Sequence, residues 1–573
     1  MFRKIISIAG ILCSVILFSY SVQPPESADL KLSSYFKSSF ALFITDLKAF
    51  DLAVNKNAPQ KRIREQFVKC RHSYKKIELI LEYYYDLDVA KFNGPALDFI
   101  EEEDPTAYHQ PQGLQMIESL IYPSLDTSKI KALRKYSDLL LTLAGGLSAN
   151  AAKAFEPEGH TLEAVMEEVY RIIALGITGF DSPVSTNSLN EAVSSLQAVD
   201  EVLAFYKDDP LLKGKSFYAD QHRIIDAAIL YLKKNNRFNS FNRMFFIRSF
   251  MNPLAVIIGK QRQKLLQKDN PFHYSLIEKK TQLFAESSFR KDSYLFDDTI
   301  TSARIILGKK LFGDPSLSAN GQRSCASCHQ AGKAFTDGRE KALELDGHTI
   351  LARNTPTLLN AAFQHNLFFD SRQHSLDQLI NEVLGNEKEM NAGSDSSVAK
   401  LRGNKVYEKL YAAAYPFDRG NMKTKLLINS ISMYLRTLVS YNSRFDRHMR
   451  GRASLLTSSE INGFNLFAGK ARCATCHFIP LFNGSKPSTY FYQEGEVIGV
   501  PATADTVQTT LDTDPGRFDK LPKEFLRRSF KTPTLRNIEL TAPYMHNGVF
   551  PDLKSVLHFY NKGGGSGLNI APP

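Results

Sequence analysis

The chain contains no tryptophan. It therefore has no indole, and any role that needs one is excluded. Cysteine is sparse: six in 573 residues, with Cys13 near the start, Cys70 alone, and Cys325, Cys328, Cys473 and Cys476 in two close pairs. That distribution implies no disulfide framework. Excess charge of one sign is also modest. A total of 71 Lys+Arg against 60 Asp+Glu gives a net charge of +11. Over this length it reads as solvated surface, and nothing suggests nucleic-acid recognition.

A chain of 573 residues with 43% hydrophobic content is expected to form roughly two to four domains with real interiors. At the start, two basic residues precede an apolar run from Ile5 to Phe18, and Ser19-x-Ser21 then supplies small residues. This is a secretory signal pattern, too short for a comfortable membrane span. Residues 1–22 are expected to direct export, which places the protein in the periplasm, with retention as a membrane anchor the alternative.

Residues 30–285 read as helix after helix. Segments such as "QFVKCRHSYKKIELILEYYYDLD" and "KIKALRKYSDLLLTLAGGL" repeat apolar residues at three- and four-residue steps. A further helix is expected after Thr161. The stretch from "CRHSYKK" to "PQGLQMIESLIYP" resembles the helical bundle of imelysin-like proteins, an iron-linked periplasmic family. The family's G-x-H-x-x-E element is matched by Gly113 to Glu118, with Gln115 where histidine belongs. Glutamine is a poor transition-metal ligand, so the resemblance implies a structural or docking bundle.

From about Asp297 the texture changes to short helical pieces between Gly, Asn, Pro and Asp loops, and histidines and cysteines gather. "LGKKLFGDPSLSANGQRSCASCH" and "GFNLFAGKARCATCH" share Leu-Phe, a glycine, a basic residue and C-x-x-C-H, and their first cysteines lie 148 positions apart. This is one module duplicated. C-x-x-C-H is the attachment signature of c-type haem. Two thiols one helical turn apart can add to the two vinyl groups of a porphyrin, and the adjacent imidazole falls under the iron. A zinc half-site would need four convergent ligands, and a redox dithiol has no need of the histidine. Cys325, Cys328, Cys473 and Cys476 are thus expected to bind two haems, with His329 and His477 as proximal iron ligands.

Around these motifs stand "RNTPTLLNAAF", "LFFDSRQHSLDQ", "NEKEM", "YNSRFD", "FKTPTLRNIELTAPYMHNG" and "VLHFYNKGG". With them, residues 295–565 resemble the bacterial di-haem cytochrome c peroxidases, including their relative that matures the tryptophan-derived cofactor of methylamine dehydrogenase. The resemblance implies a peroxide site at the first haem and an electron-receiving second haem. It places the distal acid at Glu389, where a carboxylate can carry a proton between the oxygens of bound peroxide. Where the family has a distal glutamine this chain has Leu379, beside Gln378, and the inter-haem tryptophan is replaced by Phe369.

The family's capping histidine corresponds by loop to His348, although the spacing to Asn354 is shorter than usual. A calcium ion is implied between the two modules, on the Asn354 side chain and the carbonyls of Thr541 and Pro543, an oxygen set that suits calcium. Asp314, Arg372 and Arg536 read as ion-pair or propionate contacts. The sixth ligand of the second iron lies fourteen residues after His546, at Tyr560, with Met545 as rival. A phenolate there stabilises ferric and higher states, whereas a thioether favours ferrous iron.

The expected protein is mainly all-α: signal (1–22), helical bundle (30–285) and two tandem cytochrome c-type haem domains (295–450 and 451–573). Its expected activity is peroxide reduction to water with electrons from a small periplasmic donor such as cytochrome c. One alternative is a di-haem oxidase of a protein or organic substrate. Another is a non-catalytic electron-transfer or iron-linked surface protein. A homodimer is compatible with the sequence.

Overall fold

The computed structural model describes residues 27–100, 108–155, 159–271, 273, 275–292, 299–418, 420–451, 455–493, 495–505 and 509–569. The segment expected to act as an export signal lies outside them. Among the described residues helices dominate, and sheet is limited to two short antiparallel ladders, Phe99–Ile100 with Tyr108–His109 and Gly495–Glu496 with Phe530–Lys531. No helix among them is long and apolar enough to cross a membrane.

The bundle begins with the helix Ala28–Asn55. Ser27 caps it by accepting from the Leu30 N–H, and its inward face repeats Leu32, Phe36, Phe40, Phe43, Leu47, Phe50 and Val54. That spacing makes a single apolar stripe. It packs against Gln60–Tyr84, which starts just after Pro59. Thr161–Arg171 occupies the middle of the bundle, with every residue buried. A helix beginning at Thr161 follows the sequence expectation, and its continuation is a π-helical turn, Ile172–Gly176.

A fully buried helix that carries Glu163, Glu167, Glu168 and Arg171 must find them partners, because an unpaired buried charge is prohibitively costly. The partners come from neighbouring segments. Arg171 meets Glu82 at 2.8 Å and Glu78 at 3.2 Å. Lys75 bridges Glu78 and Asp181, both at 2.6 Å, and Arg71 forks onto Glu191. Lys279 pairs with Glu163 at 3.1 Å and with Glu167, which also meets His273 at 2.7 Å. Gln115, at the metal-ligand position of the imelysin-like string, is buried and donates to the Asn93 carbonyl at 2.9 Å. Glu118 of the same string accepts from the Ser185 N–H at 2.9 Å.

One apolar core continues from the bundle into the neighbourhood of the second C-x-x-C-H motif. Met449, Phe464, Ala468, Ala474, Ile479, Leu481 and Tyr490 belong to the same cluster as the bundle side chains. A separate cluster, including Leu311, Phe312, Leu376, Ile380, Leu384 and Ile431, surrounds the first motif. Two glycines mark how close the bundle contact is. At Gly179, in the left-handed region at φ +87°, an added Cβ would lie 2.5 Å from Arg472 Nη1, and at Gly469 one would lie 2.2 Å from Arg243 Nη1.

Glu167 also accepts from Ser488 Oγ at 2.9 Å, so the buried charge network reaches the chain that follows the second motif. Burial alone would raise the Glu167 pKa, but Lys279 and His273 outweigh it and hold the carboxyl at about 2. A group depressed in this way contributes stability above its unfolded pKa, and loses it as pH falls through the folded value. We expect Glu167→Gln to destabilise the protein by roughly 3 kcal/mol near neutral pH. It should also flatten the loss of stability between about pH 4.5 and pH 2, as denaturant titrations across that range would show.

Candidate functional site

Both C-x-x-C-H motifs form one tight turn. Cys325–Cys328 is a single helical turn closed by a capping box between Ser324 and Ser327, and Cys473–Thr475 is a 3-10 turn entered through Arg472 at φ +61°. All four cysteines are free and half-buried. The histidine N–H of each motif donates to the carbonyl of its first cysteine, at 2.9 Å in both. The two modules thus share backbone geometry as well as sequence.

The two imidazoles are oriented alike. His329 Nδ1 lies 3.0 Å from the Phe335 carbonyl oxygen. His477 Nδ1 lies 3.2 Å from that of Phe482 and 3.0 Å from that of Pro533. A carbonyl can only accept, so Nδ1 carries the proton in each ring and Nε2 presents its lone pair. Burial lowers both pKa values, that of His477 to about 4, so both rings are neutral at physiological pH. Paired thiols with a neutral Nε2 donor form a donor set that fits covalently bound haem iron.

Near the first motif, Glu389 follows the helix Leu376–Gly385 and accepts from Asn386 Nδ2 at 2.7 Å. Burial raises its pKa, against the lowering effects of Arg372 and the Asn386 amide. Its charge acts in turn on the Cys325 and Cys328 thiols, which places the three groups in one neighbourhood. Arg372 stacks 3.4 Å over the Phe368 ring and pairs with Asp370 at 2.9 Å and Glu382 at 2.7 Å. Leu379 packs on the first core, while the adjacent Gln378 is exposed. His348 is also exposed, on a turn where the Asp346 carboxylate accepts its N–H at 2.8 Å. Asp314 caps the turn Pro315–Leu317 and accepts the Tyr407 hydroxyl.

Near the second motif, Tyr560 lies on the helix Leu553–Asn561, which is capped by Asp552 and anchored by the buried Phe559 against Phe550. Tyr560 itself is 46% exposed. Burial raises the pKa of its phenol to about 12, with further upward contributions from Cys476, Cys473 and Glu496. The phenol is therefore within electrostatic reach of the thiol pair. His546 is committed elsewhere: it is buried, Nε2 lies 3.2 Å from Asp512 Oδ1, and its ring stacks at 3.7 Å on Phe530. Met545 sits beside it at φ +75° in the turn closed by Gly548. Arg536 forks onto Asp446 at 2.9 Å and donates to the Pro480 carbonyl, just after the motif.

Two contacts join the regions around the motifs. The Asn354 N–H donates to the His546 carbonyl at 2.7 Å, and the Asn354 side-chain NH₂ donates to the Arg339 and Glu340 carbonyls, so Asn354 adjoins the turn from Met545 to Gly548. The Phe369 carbonyl accepts from the Lys531 N–H at 2.7 Å, and Lys531 Nζ reaches Gln364 at 2.6 Å and the Asn366 carbonyl at 3.0 Å. Sequence reasoning missed two residues here. Lys531 lies inside a recognised string, and Glu496 lies outside all of them, so neither carried a signal of its own.

Residues 302–454 match the family model described as di-haem cytochrome c peroxidase. The chain is 34% identical over 283 residues to cytochrome-c peroxidase IdrP2 of Denitromonas iodatirespirans, an alignment that covers 46% of this chain and 75% of that protein. It is 32% identical over 265 residues to methylamine utilization protein MauG of Methylorubrum extorquens, covering 46% and 70% respectively. A crystal structure of a MauG-like protein associated with microbial copper homeostasis is 30% identical, with a TM-score of 0.42, and the match covers 47% of this chain and 79% of that one. On this identity and coverage, the chain belongs to the di-haem cytochrome c peroxidase family of oxidoreductases, and this membership implies two c-type haems.

Proposed function

We propose that the protein reduces hydrogen peroxide to water at the haem held by Cys325, Cys328 and His329, with electrons from a small cytochrome-type donor entering through a haem held by Cys473, Cys476 and His477. The two motifs then define tandem haem domains behind the bundle. The observation that carries this reading is Glu389, a carboxyl with a raised pKa beside the first thiol pair. Bound haem would supply an iron that accepts peroxide and exchanges single electrons. The protein supplies the proton handling. Burial raises the Glu389 carboxyl above the usual carboxylate range and so makes it a better proton acceptor than an exposed glutamate. Asn386 Nδ2 holds one carboxyl oxygen in place, and Arg372 opposes full neutralisation.

Calcium belongs to the same proposal, on Asn354 Oδ1 and the carbonyls of Thr541 and Pro543. The hydrogen bond from the Asn354 N–H to the His546 carbonyl supports it by tying Asn354 to the segment that follows Pro543. Export to the periplasm is part of the reading as well, because c-type haem is attached outside the cytoplasm.

A second reading, oxidation of a protein or organic substrate, is favoured by Tyr560. The proximity of its phenol to the second thiol pair supports a tyrosine ligand, which would hold the second iron in oxidised states. The absence of tryptophan weighs against it.

Two measurements test these assignments. Glu389→Gln should retain both covalent haems and lose roughly 10²- to 10⁴-fold in peroxide turnover with reduced cytochrome c; unchanged turnover would remove Glu389 from the mechanism. Tyr560→Phe should abolish the low-spin signature of the second haem in optical and electron paramagnetic resonance spectra, while Met545→Leu leaves it intact. The reverse pattern would make Met545 the ligand.

A further inference from the structure

The second thiol pair has an anion beside it. Cys476 Sγ donates to Glu496 Oε1 at 3.3 Å, and Glu496 acts on the Tyr560 phenol as well. Two backbone connections determine where this carboxylate sits. Glu496 pairs with Phe530 in the ladder Gly495–Glu496/Phe530–Lys531, and the same strand leads to Pro533, whose carbonyl orients His477. Two residues after Glu496, the Ile498 carbonyl accepts from the Gly565 N–H at 3.0 Å, just past the Tyr560 helix. This approach requires glycine, since a Cβ on Gly499 would lie 2.9 Å from Gly565 Cα. Glu496 is thus held between the segment that aims the proximal imidazole and the one that carries Tyr560.

Once Cys476 has added to a vinyl group, its sulfur has no proton to donate. The carboxylate would then lie beside a thioether link. Arg472, just before Cys473, sends its guanidinium over the Phe238 ring at 4.6 Å and onto the Pro183 carbonyl at 3.1 Å, both in the bundle. A negative charge near a metal centre stabilises its more positive, oxidised state.

We propose that Glu496 lowers the reduction potential of the second haem and so biases it toward the oxidised form that retains an oxidising equivalent. The proposal rests on the reading of residues 473–477 as the second haem site. It gives this chain a way to hold oxidising power at the second centre without an indole.

The test is spectropotentiometry of the holoprotein with both haems attached, comparing wild type, Glu496→Gln, Glu496→Ser and Glu496→Asp. Both charge-removing variants should raise the midpoint potential of the second haem and leave that of the first in place, and Glu496→Asp should restore a value near wild type. A second-haem potential unchanged in Glu496→Gln and Glu496→Ser would overturn the proposal. The Tyr560→Phe spectrum is read in parallel. A shifted potential with a spectrum indifferent to Tyr560 supports Glu496 and refutes the tyrosine ligand. An unshifted potential with a Tyr560-dependent spectrum refutes Glu496 and leaves the ligand reading standing.

Discussion

The arrangement depends on a modest interaction, the hydrogen bond from histidine Nδ1 to a backbone carbonyl. It selects the tautomer, fixes the ring plane and points Nε2 at the place an iron would occupy. For His329 the acceptor is local, the Phe335 carbonyl six residues on. For His477 one acceptor is local and the other, Pro533, lies 56 residues away. The second imidazole is therefore aimed by tertiary structure. Arg536 secures that tertiary contact by tying the segment after Pro533 to Asp446 and to the Pro480 carbonyl.

The bundle takes part in the same arrangement. Phe180 packs edge-on against Phe478, the residue after His477, with centroids 5.4 Å apart. Arg472, just before Cys473, is held by bundle carbonyls and the Phe238 ring. The chain that flanks the second motif on both sides is thus seated on the bundle, and one apolar core runs beneath both. The buried ion pairs of the central helix are costly to place in an apolar interior, and they tie that helix to partners on several neighbouring segments. Gln115, in the imelysin-like string, serves this packing through the Asn93 carbonyl.

The haem ligands were legible in the sequence because C-x-x-C-H is a local motif whose spacing alone places two thiols and an imidazole on one turn. Glu389 and Tyr560 were reached only through register with recognised strings, and each lies within electrostatic reach of one thiol pair. Helix content was legible from periodicity. The continuous core was not, because apolar spacing within a helix does not say which distant segment covers it. Glu496 was illegible for a related reason. It is one acidic residue in a loop-rich stretch, and it acquires meaning only through the Phe530–Lys531 ladder and the Gly499–Gly565 contact, both long-range.

On the proposed reading, the two sites differ in electrostatics in a way that matches a division of labour. The first sets a carboxyl of raised pKa among Arg323 and Arg372, a setting suited to moving protons. The second places Glu496 and a phenol beside the thiols, a setting suited to stabilising positive charge on the metal. The resemblance puts Phe369 at the seam between them, and its carbonyl is held by the Lys531 N–H. Burial lowers the Lys531 pKa to about 8, with Asp370 opposing. A phenyl ring is not readily oxidised, so this seam is a poor resting place for a hole. Oxidising equivalents would then pass between the metal centres without stopping, and the residues that decide where they settle are those around the second haem.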